Sequence, residues 1–399
     1  MHTANKWNMA NFLTAYLLSA FGYEFIFFGM TLYVYEMSQS AFKVGVFVAL
    51  TFLPRIFASF YGIIADQYSR KKVFAWVTAI TGCLVALMVL HSDIAWIYLV
   101  WLLISVFLTF IFNVRTALMT EIMTQDNYLH GNSLVLILLN SAKVCAPLLA
   151  GLVSTTLGVT SLFYCTSIIY FMASVFCTQI RLPSVITATK NQKTIAGLKE
   201  ALQYMKGNQD VRFLLSVGVL WRLFIGLQVS LFVIYIKSYL ARSDTDYGLF
   251  MTAIGVGSIL GSLVGPWLVK RVPYSSLIFW GLSLHYASFI LLGLLHDFYA
   301  ALILVFLSYI VFYSTLVGLH SLRDKATLIH MRGRVYGSVT AIMTPPAIIS
   351  MLAGGYLANL FGVEKILIGA GITALVSFHL LNLSKSFSSN NANEFSNEA

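Results

Sequence analysis

Charge is what this sequence has least of. Only 10% of its 399 residues are Asp, Glu, Lys or Arg, and the mean hydropathy is +0.82. A soluble domain carries about 25% charged residues. A chain this poor in charge cannot cover itself with polar surface, so lipid solvates most of it. Cysteine is also scarce. Cys83, Cys145, Cys165 and Cys177 all fall inside apolar runs, with no metal-ligand spacing and no disulfide framework. They read as small core residues. His285, His320 and His379 are single and scattered, which argues against a membrane enzyme built on a metal centre. No Gly-Lys-Ser/Thr phosphate loop occurs, so this chain carries no nucleotide-driven pump, and no cofactor is implied.

What the chain has instead is long apolar runs. Twelve can span a bilayer at about 20 residues each. The first six are 9–35, 43–65, 72–91, 95–120, 131–157 and 160–182. The second six are 211–238, 246–269, 274–296, 298–322, 334–358 and 363–384. The first run is too long for a signal-peptide core and reads as an uncleaved membrane helix. This divides the chain into an N-terminal six-helix bundle (1–182), a cytoplasmic linker (183–210), a C-terminal six-helix bundle (211–385) and a tail (386–399). The tail is rich in Ser and Asn and is expected to be disordered. Within the linker, Ile195, Leu198, Leu202 and Met205 share one side of a helical period, with Lys199, Gln203 and Lys206 elsewhere. That pattern predicts a short amphipathic helix at the cytoplasmic interface.

The net charge of +10 would suggest nucleic acid on a soluble protein, but here topology accounts for it. With the N-terminus inside, 18 of the 25 Lys and Arg residues fall on the cytoplasmic side. Lys43, Lys237, Arg242 and Lys365 fall outside, and Arg55, Lys143 and Arg222 lie within helices. The asymmetry places both termini in the cytoplasm and makes the bilayer, not nucleic acid, the partner.

The most patterned loop is Gly62-Ile-Ile-Ala-Asp66-Gln-Tyr-Ser69-Arg70-Lys71-Lys72. Gly62 admits a close backbone, Asp66 can meet the positive end of a helix, and the cations hold the loop inside. An offset of 203 residues carries Gly62 onto Gly265 and Ala150-Gly151 onto Ala353-Gly354. The second copy of the loop keeps the glycine and the cations Lys270 and Arg271 but has Val269 in place of Asp66. Two parallel halves follow. Gly257, Gly261 and Gly265 form a close-packing stripe, and Pro147 and Pro345-Pro346 are candidate bends in equivalent helices.

These features together resemble the major facilitator superfamily, and the resemblance covers essentially the whole chain. The family's loop signature is Gly-x-x-x-Asp-x-x-Gly-Arg-(Arg/Lys). Gly62, Asp66, Arg70 and Lys71 match it, with Ser69 in place of the second Gly. Arg332-Gly333-Arg334-Val335 is similar to a segment of a subgroup that includes macrolide efflux proteins and the enterobactin (siderophore) exporter. Ala146-Pro147-Leu-Leu-Ala150-Gly151 is similar to the Gly-Pro-x-x-Gly-Gly end of an antiporter motif, with two alanines in place of glycines.

The resemblance implies an all-α integral membrane protein with twelve transmembrane helices in two six-helix bundles. It implies alternating access in a monomer of the bacterial inner membrane, with protons as coupling ion and no enzyme activity. The two efflux-type segments imply export of a small amphiphilic organic solute, drug-like or siderophore, by proton antiport. Import or uniport of a small organic anion or metabolite, and lysophospholipid flipping, are the alternatives. In the family the loop after helix 2 packs on helix 11. Asp66 would then sit near Gly333 and Arg334 and bias conformation rather than touch solute.

Four ionisable residues fall near mid-helix: Glu24, Arg55, Lys143 and Arg222. Each costs about 2.5–3.5 kcal/mol at the bilayer centre unless it faces protein or water. Glu24, flanked by Phe21, Tyr23, Phe25, Phe27 and Phe28, is the candidate proton carrier. The other reading is a structural pair with Arg222 or Lys143. Those two cations favour an anionic solute unless one merely neutralises Glu24. Arg55 is a further pathway candidate whose structural reading, since it follows Pro54, is to satisfy freed carbonyls. Asn140, Gln228 and Asn113 are further polar candidates for the pathway, of a kind more often found as helix–helix contacts than as ligands. Arg115, Glu121 and Asp126 are expected to form an interfacial charge cluster with Arg70.

Overall fold

The structure, a computed structural model, describes residues 2–57, 68–122, 125–181, 203–328 and 332–383. Helices α1 (His2–Ser38), α2 (Ala41–Phe52), α3 (Arg70–Leu87), α4 (Ile94–Ile122), α5 (Gln125–Leu157) and α6 (Ser161–Thr178) form the first series. The second comprises α7 (Gln209–Ile234), α8 (Asp244–Val269), α9 (Tyr274–Leu294), α10 (Phe298–Ala326), α11 (Arg332–Phe361) and α12 (Val363–Leu383). The described residues contain no strand. Eleven of their helices are long and apolar enough to cross a membrane. The second predicted run behaves differently. Its α-helix ends at Phe52 and tightens into a 3-10 turn, Leu53–Phe57. Pro54, which lacks an N–H and crowds the preceding turn, accounts for the change. The continuation at 58–67 lies outside the described residues, and so do Gly62 and Asp66.

The turns carry the internal repeat into the backbone. Gln39 (φ 46°) follows α1 and Ala241 (φ 50°) follows α7. Gly158 (φ 81°) joins α5 to α6, and Gly362 (φ 89°) joins α11 to α12. Each pair matches the sequence offset to within one residue. The chain therefore reverses by left-handed residues at corresponding places in both halves.

The chain forms two compact units, Met1–Asn191 with Ser243–Thr252, and Gln192–Arg242 with Ala253–Ala399. In the first, α1 packs against α5 and α6, and α3 packs against α4 and α6. The opening turns of α8 belong here too. A Cβ on Gly151 would lie 2.6 Å from the Asp244 carbonyl oxygen, and one on Gly248 would lie 2.6 Å from that of Pro147. The small residues let α5 and the start of α8 touch backbone to backbone. Ser154 then donates to the Asp244 carboxylate at 2.7 Å, and Thr252 donates to the Val144 carbonyl at 2.9 Å.

In the second unit, α7 packs on α11, and α9 on α10 and α12. The glycine stripe lies against α10, where a Cβ on Gly257 would be 2.6 Å from the Phe306 carbonyl oxygen and one on Gly261 would meet that of Ile310. Most of the predicted linker, 182–202, lies outside the described residues, as does the tail from residue 384. The linker's last part is helical at 203–207, where Met205 is buried with Val211, Val335, Val339 and Met343. Tyr204 donates to the Ala326 carbonyl at 2.9 Å, tying this turn to the end of α10.

Candidate functional site

The first unit gathers one carboxylate and three cations. Glu24 on α1 is partly buried. It lies within electrostatic reach of Lys143 on α5, Arg55 after α2 and Arg115 on α4, in decreasing order of influence. Two of the predicted membrane cations therefore stand within electrostatic reach of Glu24 inside one unit. Arg222 lies on α7 in the second. Arg55 does not cap freed carbonyls as expected. Its guanidinium donates to the Tyr23 hydroxyl at 2.9 Å and lies 4.3 Å from the Phe52 ring centroid. Tyr23 precedes Glu24 in α1, so Arg55 is drawn into the cluster by geometry rather than by the proline.

Arg115 is the larger correction. Glu121 does pair with Arg70, at 2.9 Å, but Arg115 is buried at 7% exposure. Its guanidinium carbon sits 4.4 Å from the Tyr16 ring centroid and 5.1 Å from that of Phe112. The signal was available in the sequence. Arg115 stands two turns before the end of α4, about 10 Å along the axis, too deep for a loop charge. Exposure is graded across the cluster: Lys143 is exposed, Glu24 and Arg55 are partly buried, and Arg115 is buried. Aromatic rings complete the setting. Tyr23 stacks on Phe27, Phe27 packs on Phe47, and Phe28 stacks on Tyr247 at 4.8 Å. Asn140 is partly buried on α5, and Asn113 donates to the Thr109 carbonyl of its own helix.

The second unit holds a polar interior of another kind, organised by Gln228 and by a histidine that the sequence made look isolated. Tyr309 donates to Gln228 Oε1 at 2.9 Å. Gln228 Nε2 stands 3.4 Å from His285 Nε2, and His285 Nδ1 stands 2.8 Å from Ser308 Oγ. Ser308 and Ser288 hydroxyls meet at 2.7 Å, and Ser288 donates to the His285 carbonyl at 2.6 Å. An amide nitrogen can only donate, so His285 Nε2 accepts and Nδ1–H donates to Ser308. That assignment makes the imidazole neutral and gives every hydrogen bond in the chain one direction. The ring stacks on Phe312 at 4.4 Å. Arg222 is partly buried nearer the start of α7, its guanidinium carbon 4.7 Å from the Trp221 ring centroid.

Of the predicted hinge residues, Arg70 and Lys71 open α3, and Gly333 and Arg334 fall in the first turn of α11. The contact expected between Asp66 and α11 rests on residues outside the described ones.

Known proteins agree with this architecture. A relative from Bacillus subtilis (strain 168), the uncharacterized MFS-type transporter YfiS, is 23% identical over 366 residues, covering 84% of this chain and 82% of that protein. The crystal structure of the nucleoside transporter NupG superposes with a TM-score of 0.79 at 13% identity, over 94% of this chain and 98% of that one. A bacterial homologue of the iron transporter ferroportin, in its inward-facing state, gives 0.70 at 16% identity, over 94% and 98%. At these identities the structural likeness shows the fold alone. Residues 12–344 match the sequence profile of the Major Facilitator Superfamily, and the chain belongs to that family of multi-pass membrane transporters.

Proposed function

We propose that this transporter moves a small amphiphilic organic solute by alternating access, with Glu24 exchanging the coupling proton. The observation that supports this is the composition of the first unit's interior. A single partly buried carboxylate stands among three cations and a set of aromatic rings. Such a group binds or releases a proton according to the charges beside it, and the rings suit the apolar part of a solute. The Arg332–Val335 and Ala146–Gly151 segments favour export of a drug-like compound or siderophore by antiport. We place the protein in the bacterial inner membrane as a monomer, with both termini cytoplasmic, on the asymmetry of its loop cations. Asp66, Arg70 and Lys71, with Gly333 and Arg334, are proposed to bias its conformation.

Uptake or uniport of an organic anion is the second reading, and the excess of cations over Glu24 favours it. Protonating Glu24 removes the one negative charge and strengthens binding of an anion. Proton and anion would then travel together. For a cation or a dipole drawn to the Glu24 carboxylate, protonation weakens binding and proton and solute exchange. Everted and right-side-out vesicles loaded with labelled macrolide, siderophore and organic-anion panels test both readings. Antiport predicts uncoupler-sensitive accumulation in everted vesicles. The second reading predicts accumulation of an anion in right-side-out vesicles. Uncoupler-insensitive movement of every transported solute removes the proton from the cycle.

A further inference from the structure

Among the buried donors of the first unit that have no hydrogen-bond partner, two interact electrostatically with each other. Arg115 is 7% exposed, and its Nε has no hydrogen-bond partner among the described residues. Tyr170 on α6 is fully buried, and its hydroxyl has none either. The two lie within electrostatic reach of each other. Buried polar groups are nearly always hydrogen-bonded, so an orphan asks what fills it. A charged orphan asks more strongly, because a guanidinium away from water needs an anion or a set of acceptors.

Both side chains are held in place by contacts that do not use the Arg115 Nε–H or the Tyr170 hydroxyl. The Arg115 guanidinium carbon lies 4.4 Å from the Tyr16 ring centroid and 5.1 Å from that of Phe112, contacts with ring faces that leave its Nε–H without an acceptor. Tyr170 lies against α1 at Gly22. A Cβ there would be 3.1 Å from Tyr170 Cε2 and 3.2 Å from Cζ, the carbon that bears the hydroxyl. Glycine thus admits the phenol beside Tyr23 and Glu24.

We infer that Arg115 and Tyr170 form an oxyanion subsite for the transported solute, which offers a carboxylate or phosphate oxygen to the guanidinium edge and the phenol hydroxyl. This rests on the transport reading and, of its two forms, accords with the organic-anion one. Arg115 supplies charge and a planar pair of donors, and Tyr170 supplies one neutral donor fixed by its packing. A charge-assisted pair with a buried guanidinium is worth more than the hydroxyl contact, so the two residues have unequal, ordered effects.

The test uses the purified full-length protein and its thermal unfolding at equilibrium. The probes are salicylate and uncharged salicylamide, and lysophosphatidylglycerol with uncharged monoacylglycerol. Stabilisation by an anion, beyond that of its uncharged partner, is the expected result. Arg115→Met should raise the apparent Kd of that anion about tenfold or more, and Tyr170→Phe about threefold. Arg115→Lys keeps the charge without the planar edge and should fall between wild type and Arg115→Met. A response to salicylate marks a free organic anion, and one confined to lysophosphatidylglycerol marks a lipid headgroup. Either supports the subsite.

Equal stabilisation by the uncharged partners overturns the inference, as does no stabilisation by either anion. An anion effect that survives unchanged in Arg115→Met or in Tyr170→Phe also overturns it. Tyr170→Phe removes one unpartnered oxygen and should fold, so it carries the test if Arg115→Met does not. Proton-driven flux without anion-specific stabilisation sinks the subsite and leaves the transport reading standing. Anion-specific binding without flux does the reverse.

Discussion

The two units share a helix plan but differ in what they bury. The first places Glu24, Arg55 and Arg115 among aromatic rings, with Lys143 at the exposed end. The second joins Gln228, His285, Tyr309, Ser308 and Ser288 into a neutral chain of hydrogen bonds. Buried charges without full compensation are costly and responsive, because a proton or an anion changes their energy by several kcal/mol. A neutral, satisfied network is stable and indifferent to both. On the proposed reading, the chemistry of coupling belongs to the first unit and a framework role to the second. Turns at matching places, Gln39 with Ala241 and Gly158 with Gly362, show that the division of labour is laid over a common backbone.

The largest expected effect comes from removing the carboxylate of the charged cluster, Glu24. Glu24→Gln should lower gradient-driven accumulation in proteoliposomes by about tenfold or more, as expected for a lost proton-transfer group, while solute counterflow persists. Accumulation at the wild-type level under the same imposed gradient would break the comparison at its strongest point.

An intermediate effect is expected from the neutral unit, and of a different kind. His285→Leu orphans Gln228 and Ser308, which should cost about 1–3 kcal/mol for each unsatisfied group and lower the melting temperature of the purified protein. Proton dependence of transport in that variant should match wild type. A shifted pH profile with unchanged melting would move the coupling chemistry into the second unit.

The smallest effects sharpen the framework claim. Gly261→Ala places a methyl group against the Ile310 carbonyl oxygen and should destabilise by about 1–3 kcal/mol. Gly369→Ala, where a Cβ meets nothing within 4 Å in the interior of α12, should stabilise by about 0.5–1 kcal/mol. Paired thermal melts give the sign of each shift. Equal shifts would mean that the α8–α10 contact is looser than the backbone geometry indicates.

Much of the fold was legible in the sequence. Hydropathy is a local property, and the predicted runs agree with the helices to within a few residues at most ends. The exceptions have local causes that outrank hydropathy. Pro54 tightens the second run into a 3-10 turn, and the end of α7 becomes a π-turn at Tyr235–Tyr239. The candidate site was legible in part. Glu24, Lys143 and Arg55 stood out because charge in an apolar run is expensive wherever it points. Arg115 was misplaced because its position near a helix end fitted a loop charge. His285 was passed over because its partners come from α7 and α10, some twenty to sixty positions away along the chain.

The sequence by itself determined that this is a membrane-spanning, all-helical chain with an internal repeat and with its cations concentrated in one set of loops. Each follows from composition, run length and spacing, which need no knowledge of neighbours. The tertiary structure decided which charges share an interior, which way the His285 network donates, and that the first turns of α8 pack with α5. Helical periodicity gives the depth of a residue but not the helix it will face. Side-chain contacts between α1, α4 and α6 turned Arg115 and Tyr170 from a loop charge and an unremarked aromatic into two buried side chains with an unpartnered donor each.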